Sequence, residues 1–265
     1  MPDSTVARKL IAWDGGTLSV LHRDGPNPIV FLHGLCGGAI HYDDAFTTSA
    51  LKGRGLTAVD LPGFGESHVD GDADVGIDAQ YAACRAVFGS LGAEVWPALV
   101  AHSMAGSVAS RLLNDISCLV LLEGNLTVEN LEFSDTILRI PAEDFEQEYA
   151  RMRNSAELIF RLQTSVSDTT RRKRYAATFQ TCTAQTVRRV AKETNSDVRR
   201  HAHLKRLTDW GRRFYYYVGG NSKIDASAVS ANGLDVIVRT IQGARHFQML
   251  DNPTETYAAI ANDTL

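Results

Sequence analysis

Four largely apolar runs, each stopped by a loop, constrain this chain more than any other feature. Ile29-Val30-Phe31-Leu32 ends at His33-Gly34, Leu56–Asp60 ends at Leu61-Pro62-Gly63, and Pro97–Ala101 and Cys118–Leu122 have the same form. A strand covered on one face alternates apolar and polar residues, so an unbroken run marks a strand covered on both. Between the second and third runs, Ile77, Tyr81, Cys84, Phe88 and Leu91 recur at helical spacing, with Gly92 as the stop. Met104–Asn114 reads as a helix between the third and fourth. Strands separated by single helices predict an α/β fold, a mostly parallel central sheet with helices on both faces. Leu18–His22 alternates and reads as an early edge strand. Phe214–Val218, rich in β-forming aromatics, and Val236–Ile241 extend the sheet, and Pro253 opens a C-terminal helix ending near Asn262.

The strand–helix rhythm stops at Asn125. From Leu126 to Asp209 the pattern is helical, which divides the 265 residues into a core (1–125 and 210–265) and a helical insertion (126–209) between its two halves, where a lid would sit. The cap contains the run Arg171-Arg172-Lys173-Arg174, but its 15 basic residues face 12 acidic ones, so these are read as solvated helix faces. The whole-chain charge of −4 provides no basic field for nucleic acid. No apolar run approaches the roughly 20 residues that cross a bilayer, and Met1–Thr5 lacks the features of a signal peptide. A cytoplasmic protein is the expectation. Cys36, Cys84, Cys118 and Cys182 form no C-x-x-C pair and read as free thiols, with Cys36 as a small pocket-lining residue.

The strongest chemical signal is Val100-Ala101-His102-Ser103-Met104-Ala105-Gly106, which follows a strand and precedes a helix. A nucleophile elbow needs that context and needs small residues two positions either side of its serine; Ala101 and Ala105 meet the rule in place of glycines. The helix after Ser103 is expected to aim free N–H groups and its positive end at charge developing near the hydroxyl. His33-Gly34-Leu35-Cys36-Gly37-Gly38 follows the first buried strand, and the amides of Leu35 and Met104 are the expected oxyanion hole. A phosphate loop is disfavoured, since neither G-x-G-x-x-G nor a Walker-type lysine is present. His33 is read as fixing its loop. His246, in a loop after the last strand, can reach across strand ends to Ser103 as a general base. His201-Ala202-His203 lacks the Cys or carboxylate neighbours of a metal site and is read as part of an exposed helix; Asp43 and Asp44 open a helix.

Leu32-His33-Gly34, Asp60-Leu61-Pro62-Gly63-Phe64-Gly65-Glu66-Ser67, Ala101–Gly106 and Gly243-Ala244-Arg245-His246-Phe247 occur in the order found in the α/β-hydrolase superfamily, which the chain resembles over roughly residues 15–125 and 212–262. The resemblance implies a helical cap after the sixth strand, matching Leu126–Asp209; the Asp60 loop, a hallmark of the family, is read as structural, with Pro62 and the glycines fixing a turn beside the site. It also implies a triad carboxylate, usually just beyond the strand that is here Phe214–Val218. That loop reads Gly219-Gly220-Asn221-Ser222-Lys223-Ile224-Asp225, with no acid until Asp225. Glu123 instead stands directly after Leu119–Leu122, similar to superfamily members such as haloalkane dehalogenases that place the acid there. A carboxylate straight after a buried strand is hard to justify as packing, so Glu123 is preferred and Asp225 is the alternative. The expectation is a cofactor-free, metal-free serine hydrolase acting on an ester, lactone or thioester of a small to medium apolar substrate. Its rivals are a carbon–carbon bond hydrolase or lyase on the same residues, and a non-catalytic ligand receptor. A small molecule is the expected partner, with neither nucleic acid nor membrane, and a homodimer is left open.

Overall fold

The computed structural model describes residues 5–92, 94–225, 227, 229 and 233–265. Met1–Ser4, part of the stretch read for a signal peptide, lie outside the described residues. Nine strands form one sheet: β1 (Ala7–Trp13), β2 (Gly16–Arg23), β3 (Ile29–Leu32), β4 (Leu56–Val59), β5 (His68–Val69), β6 (Ala98–His102), β7 (Cys118–Leu122), β8 (Phe214–Gly219) and β9 (Val236–Ile241). The order is β1-β2-β4-β3-β6-β7-β8-β9, with β5 beside β2. From β4 through β9 the pairs are parallel, whereas β2 pairs antiparallel with β1, β4 and β5. Every residue of β3, β4 and β6 is buried, as their unbroken apolar runs require.

Register carries the strand ends to one place. Leu32 lies opposite Ala101, His102 opposite Leu122, and Leu122 opposite Tyr217. The loops that open with His33, Ser103 and Glu123 therefore leave the same edge of the sheet, the carboxyl end where open α/β sheets bind ligands.

Three expectations need correction. Leu18–His22 is not an edge: β2 sits between β1 and β4, and the edge is Ala7–Trp13. The first four residues of β1 are exposed, so no alternation marks it; the signal that could have found it is Asp14-Gly15, the turn of its hairpin with β2. Second, the two-residue β5 makes Cys118–Leu122 the seventh strand in chain order. Third, the helix expected over Met104–Asn114 spans only Ala105–Ala109. Ser110 Oγ and Arg111 both donate to Ser107 O at 2.9 Å, and the chain leaves through tighter three-residue turns, Arg111 N to Val108 O and Leu112 N to Ala109 O.

Between β7 and β8 the described residues hold helices Glu132–Arg139, Phe145–Asn154, Ala156–Gln163, Thr169–Ala176, Ala184–Arg199 and Ala202–Trp210 and no strand. Polar contacts fasten this block to the sheet side. Arg174 pairs with Asp43 at 2.8 Å, Arg171 with Asp44, and Tyr175 Oη donates to Asp43 at 2.9 Å. Ile77 N donates to Glu193 at 2.7 Å, and Ser165 N to Asp251 at 2.7 Å. The run Arg171–Arg174 is thus a docking element and not merely a solvated face. Arg172 turns inward, to Glu157 Oε1 at 2.7 Å and to the carbonyls of Val166 and Ser167 at 2.8 and 2.6 Å. His203 is buried with Nε2 on Leu126 O at 2.8 Å, so it fixes the start of the block instead of lying on an exposed helix.

Candidate active site

At Ser103 the chain leaves β6 with φ +52°, a left-handed conformation that few non-glycine residues adopt. Its N–H is held by Leu122 O at 3.0 Å, and its carbonyl accepts from Gly106 N and Asn125 N at 3.0 and 3.1 Å. The elbow is therefore pinned to the end of β7. Crowding explains its small residues: a Cβ on Gly106 would meet Asn125 N and Gly124 Cα at 3.2 Å, and one on Gly34 would lie 3.0 Å from Ser103 Cβ. Ala101 and Ala105 are wholly buried, the places where the sequence departs from glycine yet keeps to the steric rule.

Glu123 repeats the device one strand over. It too has a positive φ, +43°, and its N–H is held by Tyr217 O at 2.9 Å. Its buried carboxylate accepts from Gly219 N through Oε1 at 2.9 Å and meets His246 Nδ1 through Oε2 at 2.7 Å. A carboxylate oxygen can only accept, so the His246 proton sits on Nδ1 and the lone pair is on Nε2. Asp225, the alternative acid, accepts from Ser227 N and Oγ at 2.8 and 2.7 Å, as a helix-capping residue does. Asn221, standing where the family places its acid, instead donates to Ala244 O and Gly243 O at 2.8 and 3.2 Å and braces the loop before His246.

Ser103 and His246 line one enclosed cavity but are not hydrogen-bonded to each other. Such bonds are commonly loose before substrate binds. Gly34, Leu35 and Cys36 line the same cavity, and the amides of Leu35 and Met104 have no partner among the described residues. Because the helix after Ser103 has only five residues, local N–H groups are what it offers, not a long helix dipole.

The loop at the end of β3 is locked by His33, whose Nδ1 donates to Gly34 O at 2.7 Å while Nε2 accepts from Leu61 N at 3.1 Å. The Asp60 loop is structural in the same way: Asp60 accepts from Ala39 N and Arg8 at 2.7 Å and from Glu66 N at 3.2 Å. Burial pushes the Cys36 thiol well above its ordinary range, so it stays a neutral wall of the cavity.

Two histidines near the site went unassigned from sequence. His102 is buried behind Ser103 and donates from Nε2 to His246 O at 3.0 Å, and burial depresses its pKa. Its position immediately before the serine, at the end of an apolar strand, was the available signal. His41 lies beside Phe160, Tyr175 and Phe247 with ring centroids 5.7 to 5.9 Å away. Phe133, Ile159, Phe160, Gln163 and Phe179 complete the wall from the helical block, in which no motif marked them. Among the described residues no group of His, Cys, Asp and Glu could hold a metal ion, and no helix is long and apolar enough to cross a membrane.

A model of the alpha/beta hydrolase family matches residues 29–260, and the chain belongs to that family. No curated protein sequence matches significantly. Solved structures with the same fold include an esterase from Exiguobacterium antarcticum, 16% identical over 97% of this chain and 99% of that one, with a TM-score of 0.79. An N-formylmaleamic acid deformylase from Pseudomonas putida is 17% identical over 96% and 100%, with a TM-score of 0.73. A haloalkane dehalogenase from Agrobacterium tumefaciens is 16% identical over 98% and 97%, with a TM-score of 0.75. Likeness at this level defines the fold, not a reaction or a substrate.

Proposed function

We propose that the chain is a serine hydrolase that cleaves a carboxylic ester or a similarly activated acyl bond through an acyl-enzyme on Ser103. The observation that carries this reading is the 2.7 Å contact between His246 Nδ1 and buried Glu123, in a cavity that also holds a strained Ser103. Backbone strain at such a point is a mark of function when the surroundings hold it in place. His246 Nε2 takes the Ser103 proton as Oγ attacks the acyl carbon, and Glu123 stabilises the imidazolium. The oxyanion is held by the Leu35 and Met104 amides. His246 then protonates the leaving alcohol, and a water molecule, deprotonated by the same nitrogen, releases the acid and restores Ser103.

Residues 126–209 act in this reading as a lid over a core of 1–125 and 210–265. The cavity volume is only about 30 Å³, so a substrate must displace cap side chains to enter. Treatment with a fluorophosphonate, followed by peptide mapping, tests the proposal: the adduct is expected on Ser103 and no other serine. Folded protein that stays unlabelled, or is labelled elsewhere, removes Ser103 from its role.

A further inference from the structure

His41 has a polar atom that the fold leaves unused. The ring is buried, and Nε2 lies 3.2 Å from Tyr175 O. A carbonyl oxygen only accepts, so the proton belongs on Nε2 and Nδ1 carries a lone pair. That Nδ1 is buried and has no partner among the described residues. Burial also pushes the His41 pKa down to about 4, which keeps the ring neutral at ordinary pH. The ring is held in this orientation by more than one contact: Thr178 Oγ1 lies 3.4 Å from Nε2, and Phe160, Tyr175 and Phe247 surround it.

An unmatched buried acceptor is costly relative to a matched one, and an arriving donor relieves that cost. Of the unmatched buried atoms, His41 Nδ1 and His102 Nδ1 belong to residues that line the cavity, and His41 is the one away from the serine. His41 lines the same cavity as Ser103 and His246. Phe247 joins the two ends of that wall, its ring 5.7 Å from His41 and 4.9 Å from His102, and the His102 ring lies tilted 4.6 Å from His246. Phe133, Phe160 and Phe179 add three more aromatic rings to the lining, beside the aliphatic Leu35 and Ile159. No Asp, Glu, Lys or Arg is among the described lining residues, so nothing there neutralises a charged ligand. Gln163 lies on the lining from the helical block. The cavity therefore offers an apolar, aromatic enclosure with a fixed acceptor away from the serine.

We propose that His41 is a specificity-determining residue whose Nδ1 accepts a hydrogen bond from the hydroxyl of a neutral, hydroxyl-bearing aromatic substrate. This deepens the hydrolase reading and rests on it for the word substrate, but the binding it describes can be measured without turnover. The substrate hydroxyl gives Nδ1 the donor that the fold does not supply, whereas a methyl group of equal size leaves Nδ1 bare.

Phenol and toluene differ by that one group and serve as probes. Calorimetric titration of the wild-type protein is expected to show phenol binding in preference to toluene. In His41→Leu the phenol-to-toluene ratio of affinities should fall about tenfold, the size of one hydrogen bond. Should that variant fail to fold, ¹⁵N NMR of the wild-type protein decides. The His41 Nδ1 resonance should move upfield with phenol and stay in place with toluene. No phenol binding, equal affinity for both probes, an unshifted Nδ1 resonance, or a preference that survives in folded His41→Leu overturns the proposal. Fluorophosphonate labelling is independent of these titrations. Loss of labelling would remove the hydrolase reading, while the phenol result would still decide what His41 binds.

Discussion

Two residues that end neighbouring strands, Ser103 and Glu123, both leave the sheet with positive φ, and both have their N–H tied to the next strand. This shared geometry turns their side chains out of the strand edge, and it favours Glu123 over Asp225 as the partner of His246. Glu123→Gln keeps the shape and the bond from Gly219 N but loses the charge that holds the Nδ1–H tautomer. It is expected to lower kcat on a p-nitrophenyl ester by roughly 10⁴-fold, the size seen when a protease triad loses its carboxylate. Asp225→Asn should stay near wild-type, because Asn caps a helix about as well as Asp. The reverse ranking, in variants with unchanged circular dichroism, would move the acid to the loop after β8. Ser103, His246 and Glu123 were legible because each breaks a strong local pattern: a hydroxyl or carboxylate directly after an apolar run, an imidazole in a glycine-flanked loop. His41 was not, because a buried neutral histidine outside any motif leaves no pattern until its neighbours from other elements are known; His102 had only its place before Ser103 as a signal.

The six longer helices between β7 and β8 were legible as helical but not in how they dock. Periodicity tells which residues share a face, not which distant carboxylate will meet them. Arg171 and Arg174 reach Asp44 and Asp43, over a hundred positions away in the chain, while Arg172 points the other way. The parallel strands were readable because double-sided burial requires unbroken apolar runs, whereas β1, largely exposed, leaves only its turn as a signal. These roles separate neighbouring residues experimentally. Arg172→Met leaves the Val166 and Ser167 carbonyls and Glu157 without their donor and should lower stability by about 2 kcal/mol, a drop in Tm of roughly 5 °C. Lys173→Met, at an exposed position on the same helix, should stay within about 0.5 kcal/mol of wild-type. Thermal melts showing equal losses for the two would return the run to the status of a solvated face.

At the scale of the whole molecule, four of its eight histidines, His33, His41, His102 and His203, are buried, and burial is the leading cause that lowers the pKa of each. Three of them support the site, and the fourth anchors the start of the helical block on Leu126 O. His41 and His102 each hold a backbone group through one ring nitrogen, and a second proton on either has no acceptor waiting for it. A second proton on His33 would face the Leu61 N–H, whereas His203 keeps Asp197 O 3.3 Å from Nδ1. An unfolded chain binds protons on these imidazoles near pH 6.5, whereas the folded His41 resists until about pH 4. Over the interval between, the unfolded state carries more protons, so stability falls as pH falls and rises as pH rises. His41 alone should contribute a loss of about 3 kcal/mol by pH 4, with the other three adding in the same direction. Asp44 and Asp251, whose carboxyls burial pushes upward, act oppositely. Carboxyls ordinarily titrate near pH 4 and imidazoles near pH 6.5, which leaves the histidines dominant above about pH 5. Urea unfolding at pH 7.5, 6.5, 5.5 and 4.5 should therefore show a progressively lower midpoint below pH 6.5. In His41→Leu the decline should be shallower, since one of the groups that drives it is gone. A wild-type midpoint that stays level from pH 6.5 to 4.5 would mean that these imidazoles accept protons in place, and that the folded site does not depend on their neutrality.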